Sequence, residues 1–414
     1  MSGDVAVGRP DSGKASVEPA AAGGDSRRIA ALDQFRGYTV AGMFLVNFMG
    51  SYAVCPLLWQ HHNTFCSYAD TIMPQFFFAA GFSLRLSFLR RLQSGGQAQA
   101  WLRMIRRVAG LAAIAIVWYA YGESAEISRR LATDDVGSIL AWLFKSPLFQ
   151  TLLHIAVTSL WILPVVGASL AARVSYTIAS TLLHLLLSHW FYFEWVHADP
   201  ESIDGGPLGF LTWTIPTIAG TIAYDIWRAP SESVRLRPYL SWGVGLAVAG
   251  WLLSCLTTLH DVRSEDRDRL AAQQYATSPV IGVGPGNTWH DLKAAEPPFV
   301  PPPAQAWRKE NYWMMSQQHG TPSYLIFSAG LSFLVFAVFV WLAEVRGVRI
   351  AFFGTLGINA LAGYILHSFT GAAVGGHLQQ DSPASTVYVG LAIYFVATYL
   401  LLRLLEWTGI RLRM

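Results

Sequence analysis

Tyr324-Leu325-Ile326-Phe327-Ser328-Ala329-Gly330-Leu331-Ser332-Phe333-Leu334-Val335-Phe336-Ala337-Val338-Phe339-Val340-Trp341-Leu342-Ala343 runs without a single charge. A helix of about 20 such residues, rising 1.5 Å per residue, crosses the roughly 30 Å hydrocarbon core of a bilayer. Similar runs recur along the chain. Spanning helices are expected near 38–58, 69–90, 104–122, 148–169, 174–195, 208–227, 239–260, 321–344, 350–369 and 384–405. The 414 residues are 53% hydrophobic and 13% charged, with mean hydropathy +0.36, too apolar for an ordinary soluble domain. A membrane β-barrel would show short alternating segments instead of continuous runs. The expected fold class is therefore all-α, a polytopic transmembrane bundle of about ten helices.

Charge placement sets the expected orientation. With the N-terminus inside, 20 of the 29 Lys and Arg residues fall on the cytoplasmic side. Arg36 precedes the first run, and Arg85, Arg90, Arg91, Arg103, Arg106 and Arg107 surround the second connection. The short outer loops 59–68, 196–207 and 370–383 have no Lys or Arg. Both termini are thus expected in the cytoplasm. Residues 1–26 have no apolar run and no signal-peptide core, and are expected as a disordered cytoplasmic tail. Residues 27–414 form one transmembrane domain. Within it, 261–320 is a long outer-face loop that begins charged and turns Pro- and Gly-rich, either a rigid flap or a mobile linker. Cys55, Cys66 and Cys255 form no CxxC pair, so no structural zinc site is expected. Cys55 and Cys66 flank the first outer loop, as two buried thiols or, alternatively, a disulfide.

This topology gives the unusual polar residues defined depths. His61-His62-Asn63-Thr64-Phe65-Cys66-Ser67-Tyr68-Ala69-Asp70 lies between two spanning runs at the outer mouth. Ionisable residues there are costly and are candidates for function. Adjacent loop residues cannot both point the same way, so one of His61 and His62 is expected to act and the other to support. Asn47 and Asn359 fall near mid-membrane and His367, Asp204 and Ser323 further out, and one polar cavity opening outward is expected to collect them. Each has a plainer role: the Asn residues as interhelical hydrogen bonders, His154 and His184 as packing residues, Asp70 as a helix cap. On the inner face, Arg36, Arg85, Arg106 and Arg107 could serve topology and lipid headgroups alone, or grip the phosphates of an anionic cosubstrate.

Several of these segments resemble the heparan-alpha-glucosaminide N-acetyltransferase family. The stretch Arg28-Ile29-Ala30-Ala31-Leu32-Asp33-Gln34-Phe35-Arg36-Gly37-Tyr38-Thr39-Val40, with Met43 and Val46-Asn47, is similar to the opening of its members. Ala69-Asp70 with Pro74, Asp204-Gly205-Gly206-Pro207-Leu208-Gly209, Thr321-Pro322-Ser323-Tyr324, and Gly357-Ile358-Asn359-Ala360-Leu361 with Tyr364 and His367 follow in the family's order. The resemblance implies a multipass acyltransferase in a bacterial inner membrane. It would move acetyl from cytosolic acetyl-CoA to a sugar amine or hydroxyl at the outer face. His61 or His62 would act as base or acetyl carrier with Asp70 beside it. Asn47 or Asn359 would serve the oxyanion, and Arg36, Arg85, Arg106 and Arg107 the CoA phosphates. The implied partners are a CoA thioester, a carbohydrate acceptor, the lipid bilayer and a second copy of the chain, with no metal and no nucleic acid. The chain departs from the family at Leu152-Leu153-His154-Ile155-Ala156, where a Gln-Arg pair is usual, and in a shorter spacing from the loop histidines to Asp70. A surface polysaccharide O-acyltransferase, a transporter using the same polar cavity, and a membrane protein binding metal through His61, His62, Asp70 and His367 are the alternatives.

Overall fold

A computed structural model describes residues 28–409 apart from 64–65, 230–233, 255 and 257–310. The expected tail (1–26), Cys255 and most of the 261–320 loop lie outside the described residues. Among the described residues the structure is helical with no strand.

The helices are α1 (Ala30–Met49), α2 (Tyr68–Gly122), α3 (Ser124–Thr133), α4 (Val136–Lys145), α5 (Thr151–Ile162) and α6 (Leu170–Leu187). They continue with α7 (Phe193–His197), α8 (Phe210–Arg228), α9 (Arg237–Ser254), α10 (Pro322–Val340), α11 (Ala351–Ile358), α12 (Ala360–Gly375) and α13 (Ala384–Trp407). The described part of each apolar run lies largely on helix, but the divisions differ from the expected ones: residues 50–56 and 163–169 lie outside the α-helices. Residues 69–90 and 104–122 belong to one element, α2, interrupted at Gly96, where φ is 75°. A π turn at Ser188–Tyr192 joins α6 to α7, so Leu170–His197 is one long apolar helix. Among the described residues three helices are long and apolar enough to cross a membrane, Leu170–His197, Pro322–Val345 and Ala384–Trp407. A fourth span forms if α11 and α12 count as one, although they bend by 95° at Asn359.

Helix packing relies on close backbone approach. A side chain on Gly81 of α2 would strike the Thr217 carbonyl of α8, and one on Gly220 of α8 would strike that of Phe78. Gly37 of α1 meets Phe353 of α11, and Gly357 of α11 meets Asp33, in the same reciprocal way. Small residues at crossings let helices gain contact where lipid offers no hydrophobic drive between them. Between α1, α2, α8 and α10 the space is filled by rings: Phe35, Phe77, Phe78, Phe82, Trp213, Phe333 and Phe336 are all buried. Phe77 stacks on Trp213 at 4.5 Å, and Phe35 meets Phe78 and Phe336 edge-on.

Candidate functional site

The start of α2 builds the first part of the site. Ser67 caps the helix and Asp70 completes a capping box, its carboxylate accepting from the Ser67 amide at 3.0 Å. That leaves Asp70 Oδ1 for His61, whose Nδ1 lies 2.8 Å away. A carboxylate only accepts, so Nδ1 carries the proton and Nε2 is the ring's basic nitrogen. The Asp70 side chain is 1% exposed and that of His61 54% exposed, a buried anion holding an accessible imidazole. The His62 ring turns the other way, with Nε2 2.9 Å from the Leu57 carbonyl oxygen, while its amide approaches Asp70 Oδ2 at 3.4 Å. The two histidines do point apart, and the carboxylate goes to His61.

His61 faces a cavity of about 520 Å³, within the usual size of ligand sites, lined also by Asn47, Asn63, Gln150, Thr151, Glu201, Asp204, Gln317, Gln318 and Tyr364. Asp204 sits in a turn of three consecutive left-handed residues, with φ of 54° at Asp204, 86° at Gly205 and 59° at Gly206. At Gly206 a side chain would also meet the Tyr192 hydroxyl at 2.9 Å. Gln317 Nε2 donates to Asp204 Oδ1 at 2.9 Å, and Asn63 Nδ2 donates to Gln318 Oε1 at 2.6 Å. Burial raises the Asp204 pKa to about 6, against the opposing Gln317 hydrogen bond and His61 charge. The cavity walls alone would lower the His61 pKa. The Asp70 hydrogen bond and charge, the Asp204 charge and a Gln317 hydrogen bond outweigh them and leave it raised.

A second, narrower cavity of about 120 Å³ lies below, lined by Arg36, Arg107, Ser83 and apolar residues of α2, α5, α11 and α12. Arg36 is loosely paired with Asp33 at 4.0 Å; among the described residues Arg107 makes no ion pair, and the two guanidiniums repel each other. Phe76, Thr151 and Tyr364 line both cavities.

The chain matches no protein-family model and no curated protein. The family resemblance therefore rests on the motifs quoted above, and the geometry has to be read for itself.

The other expected site residues go elsewhere. His367 lines a separate cavity of about 460 Å³, divided from the first at Asn47, which borders both. Its Nδ1 must donate to the Tyr364 carbonyl at 2.6 Å, so Nε2 accepts from Asn47 Nδ2 at 3.1 Å. The single collecting cavity is thus two. Asn359 lines neither. It stands at the break between α11 and α12, its amide donating to the Thr355 carbonyl at 2.9 Å and to Glu406 at 3.0 Å, because a bend frees backbone groups that need partners. Ser323 is buried and donates to the Trp313 and Met314 carbonyls, tying the 311–321 segment to α10. Arg85 is buried against Asp225, Nε to Oδ1 at 2.6 Å, and also donates to the Val166 carbonyl; Arg173 holds the other Asp225 oxygen. It lines neither cavity, nor does the exposed Arg106. His154 is fully buried between Phe149 and Trp213, a packing residue. Cys55 and Cys66 are free, buried thiols. Among the described residues no group of three or more His, Cys, Asp or Glu is placed to hold a metal ion.

Gln317, Gln318, Glu201 and Thr151 were not marked in the sequence, and Asn63 and Tyr364 stood in quoted motifs without a site role. The available signal was Ser316-Gln317-Gln318-His319, a polar run abutting an apolar helix.

Proposed function

We propose that this protein is a transmembrane acyltransferase with about ten spanning helices and both termini in the cytoplasm. It takes an acetyl group from cytosolic acetyl-CoA and passes it to an amine or hydroxyl of a carbohydrate at the outer face. The observation that carries this reading is the junction of the two cavities at Phe76, Thr151 and Tyr364. One cavity has two like charges with too few counter-charges, suited to an anion. The other has an imidazole oriented by a buried carboxylate.

Arg36 and Arg107 fit the phosphates of CoA, since guanidinium donates paired hydrogen bonds to phosphate oxygens. The apolar walls beside them, Leu111, Leu152, Ile155 and Leu361, suit an acyl-bearing thiol arm. His61 Nε2 takes the proton from the attacking acceptor, and Asp70 fixes the tautomer and stabilises the imidazolium. Asp204, Gln317 and Gln318 offer hydrogen bonds to acceptor hydroxyls. An O-acetyl acceptor needs the same base, so the choice between amine and hydroxyl rests with the acceptor alone.

The test is CoA release from acetyl-CoA by protein in lipid nanodiscs, with an amino sugar or a polysaccharide fragment as acceptor. Thiol release is expected from the native protein and from His62→Ala, and not from His61→Ala folded to the same extent. Full activity in His61→Ala refutes the reading. Acceptor movement without thiol release favours a transporter.

A further inference from the structure

Tyr364 borders both cavities, yet the chemistry above gives it nothing to do. Its hydroxyl lies 3.0 Å from that of Tyr119, and Thr151 lines the same two cavities. The direction of this chain follows from the protons. The Leu152 amide can only donate, and it donates to Tyr119 Oη at 2.9 Å. Tyr119 is buried, packed in a cluster with Val108, Leu111 and Phe149. Among the described residues Tyr364 Oη is the acceptor the structure offers for the Tyr119 hydroxyl proton. If Tyr364 donated instead, that proton would be stranded in apolar surroundings, which native structures avoid. The order is therefore Leu152 N–H to Tyr119, then Tyr119 O–H to Tyr364. The Tyr364 proton is left for the space that Tyr364 lines. Hydrogen bonds in such a chain strengthen one another. The two amides expected to serve an oxyanion are occupied, Asn47 by His367 and Asn359 at the α11–α12 bend.

We infer that Tyr364 is a further catalytic residue, its hydroxyl donating to the carbonyl oxygen of the thioester where the two cavities meet. Tyr119 is its positioning residue. The inference rests on the acyltransferase reading. In the transfer the acceptor's lone pair bonds to the carbonyl carbon and the C=O electron pair moves onto oxygen, against the Tyr364 hydroxyl. His61 takes the acceptor's proton. The carbonyl then re-forms, the C–S bond breaks, and the thiolate leaves with the proton His61 held. The products are the acetylated acceptor and free CoA.

The experiment compares the native protein, Tyr364→Phe and Tyr119→Phe in nanodiscs, using acetyl-CoA labelled with carbon-13 at the carbonyl. Binding of CoA and acetyl-CoA, the infrared carbonyl stretch of the bound thioester, and kcat are measured. Removing one oxyanion donor typically lowers kcat by about 10²- to 10³-fold, and that is the loss expected for Tyr364→Phe. Binding should stay within about twofold, since the ground-state hydrogen bond replaces one to water and strengthens only as charge builds on the oxygen. The bound carbonyl should stretch at lower frequency in the native protein than in Tyr364→Phe, with Tyr119→Phe between them in stretch and kcat. Unchanged kcat and stretch in Tyr364→Phe overturn the inference. So does equal loss of CoA and acetyl-CoA binding, which marks a packing residue. A native protein that binds no acetyl-CoA or releases no CoA overturns the acyltransferase reading itself, a result visible before either variant is measured.

Discussion

His61 and His319 stand on two sides of one short polar segment, and the fold has given them opposite chemistry. Gln317 reaches the His61 ring, which is accessible and bonded to a buried carboxylate. Two residues on, His319 is fully buried, and among the described residues neither ring nitrogen has a hydrogen-bond partner. Its ring packs against His197 at 5.1 Å, Phe193 at 4.2 Å and His184 at 6.0 Å. Burial first, then the charges that His184 and His197 would carry, hold its pKa well below the histidine range. Residue type alone does not mark a catalyst. What separates the two rings is a carboxylate within hydrogen-bond distance and a path to solvent.

The sharpest way to break this contrast is to remove the active member. His61→Ala is expected to lower acyl transfer by about 10²- to 10⁴-fold, the usual contribution of a positioned base, with helical content and thermal midpoint little changed. Steady-state thiol release and circular dichroism on the same sample check it. A His61→Ala protein that loses its fold along with its activity would make the ring a structural residue like His319.

Removing the partner should shift the pH profile as well as the rate. Asp70 raises the His61 pKa, so in Asp70→Asn the pKa falls and the acidic limb of kcat/KM moves to lower pH. The plateau should also drop, by about 10- to 100-fold, because the imidazolium loses its counter-charge. Asn can still accept the Ser67 amide, so α2 keeps much of its cap. An unmoved limb would mean that another group sets the profile.

Part of this was legible in the chain. Continuous apolar runs announced helices over most of the described residues they cover, because a helix satisfies its backbone internally and shows as an unbroken stretch. The loop histidines and Asp70 were legible for a related reason: charge is costly between apolar runs. The choice between His61 and His62 was not, since it depends on which ring turns toward Asp70 across the loop. Asn359 and Ser323 misled because a polar residue that repairs a helix break looks in sequence like one that lines a cavity. Arg85 misled because its partner, Asp225, lies 140 positions away. Gln317 and Gln318 are uncharged and stand outside the apolar runs, so neither charge nor periodicity marked them.

Asp204 sharpens the contrast from the carboxylate side. Its pKa, raised to about 6, means that the folded state binds a proton more readily than the unfolded chain does. Its contribution to stability is full below the ordinary aspartate pKa near 3.8 and is lost as pH rises through about 6. Asp204→Asn keeps the left-handed backbone, which Asn tolerates, and can still pair with Gln317. The variant should therefore unfold at a higher temperature than the native protein at pH 8 and at a similar one at pH 4. Parallel curves would show that Asp204 is hydrated in the cavity.

The smallest expected effect belongs to the silent member of the pair. His319→Phe replaces a buried imidazole with an apolar ring that can pack against Phe193 and His197. Acyl transfer should change by less than about twofold, because His319 lines neither cavity of the proposed site. Stability should diverge only in acid. The folded pKa of His319 is depressed, so its contribution is fully present above the ordinary histidine value of 6.5 and is lost as pH falls toward the lower folded value. The unfolded chain takes up a proton in that window and the buried ring does not. Phe has no proton to bind in either state. His319→Phe should then match the native thermal midpoint at pH 8 and exceed it at pH 5. Equal midpoints at both values would mean that the ring is protonated as easily folded as unfolded. The two histidines beside Gln317 would then differ in position alone.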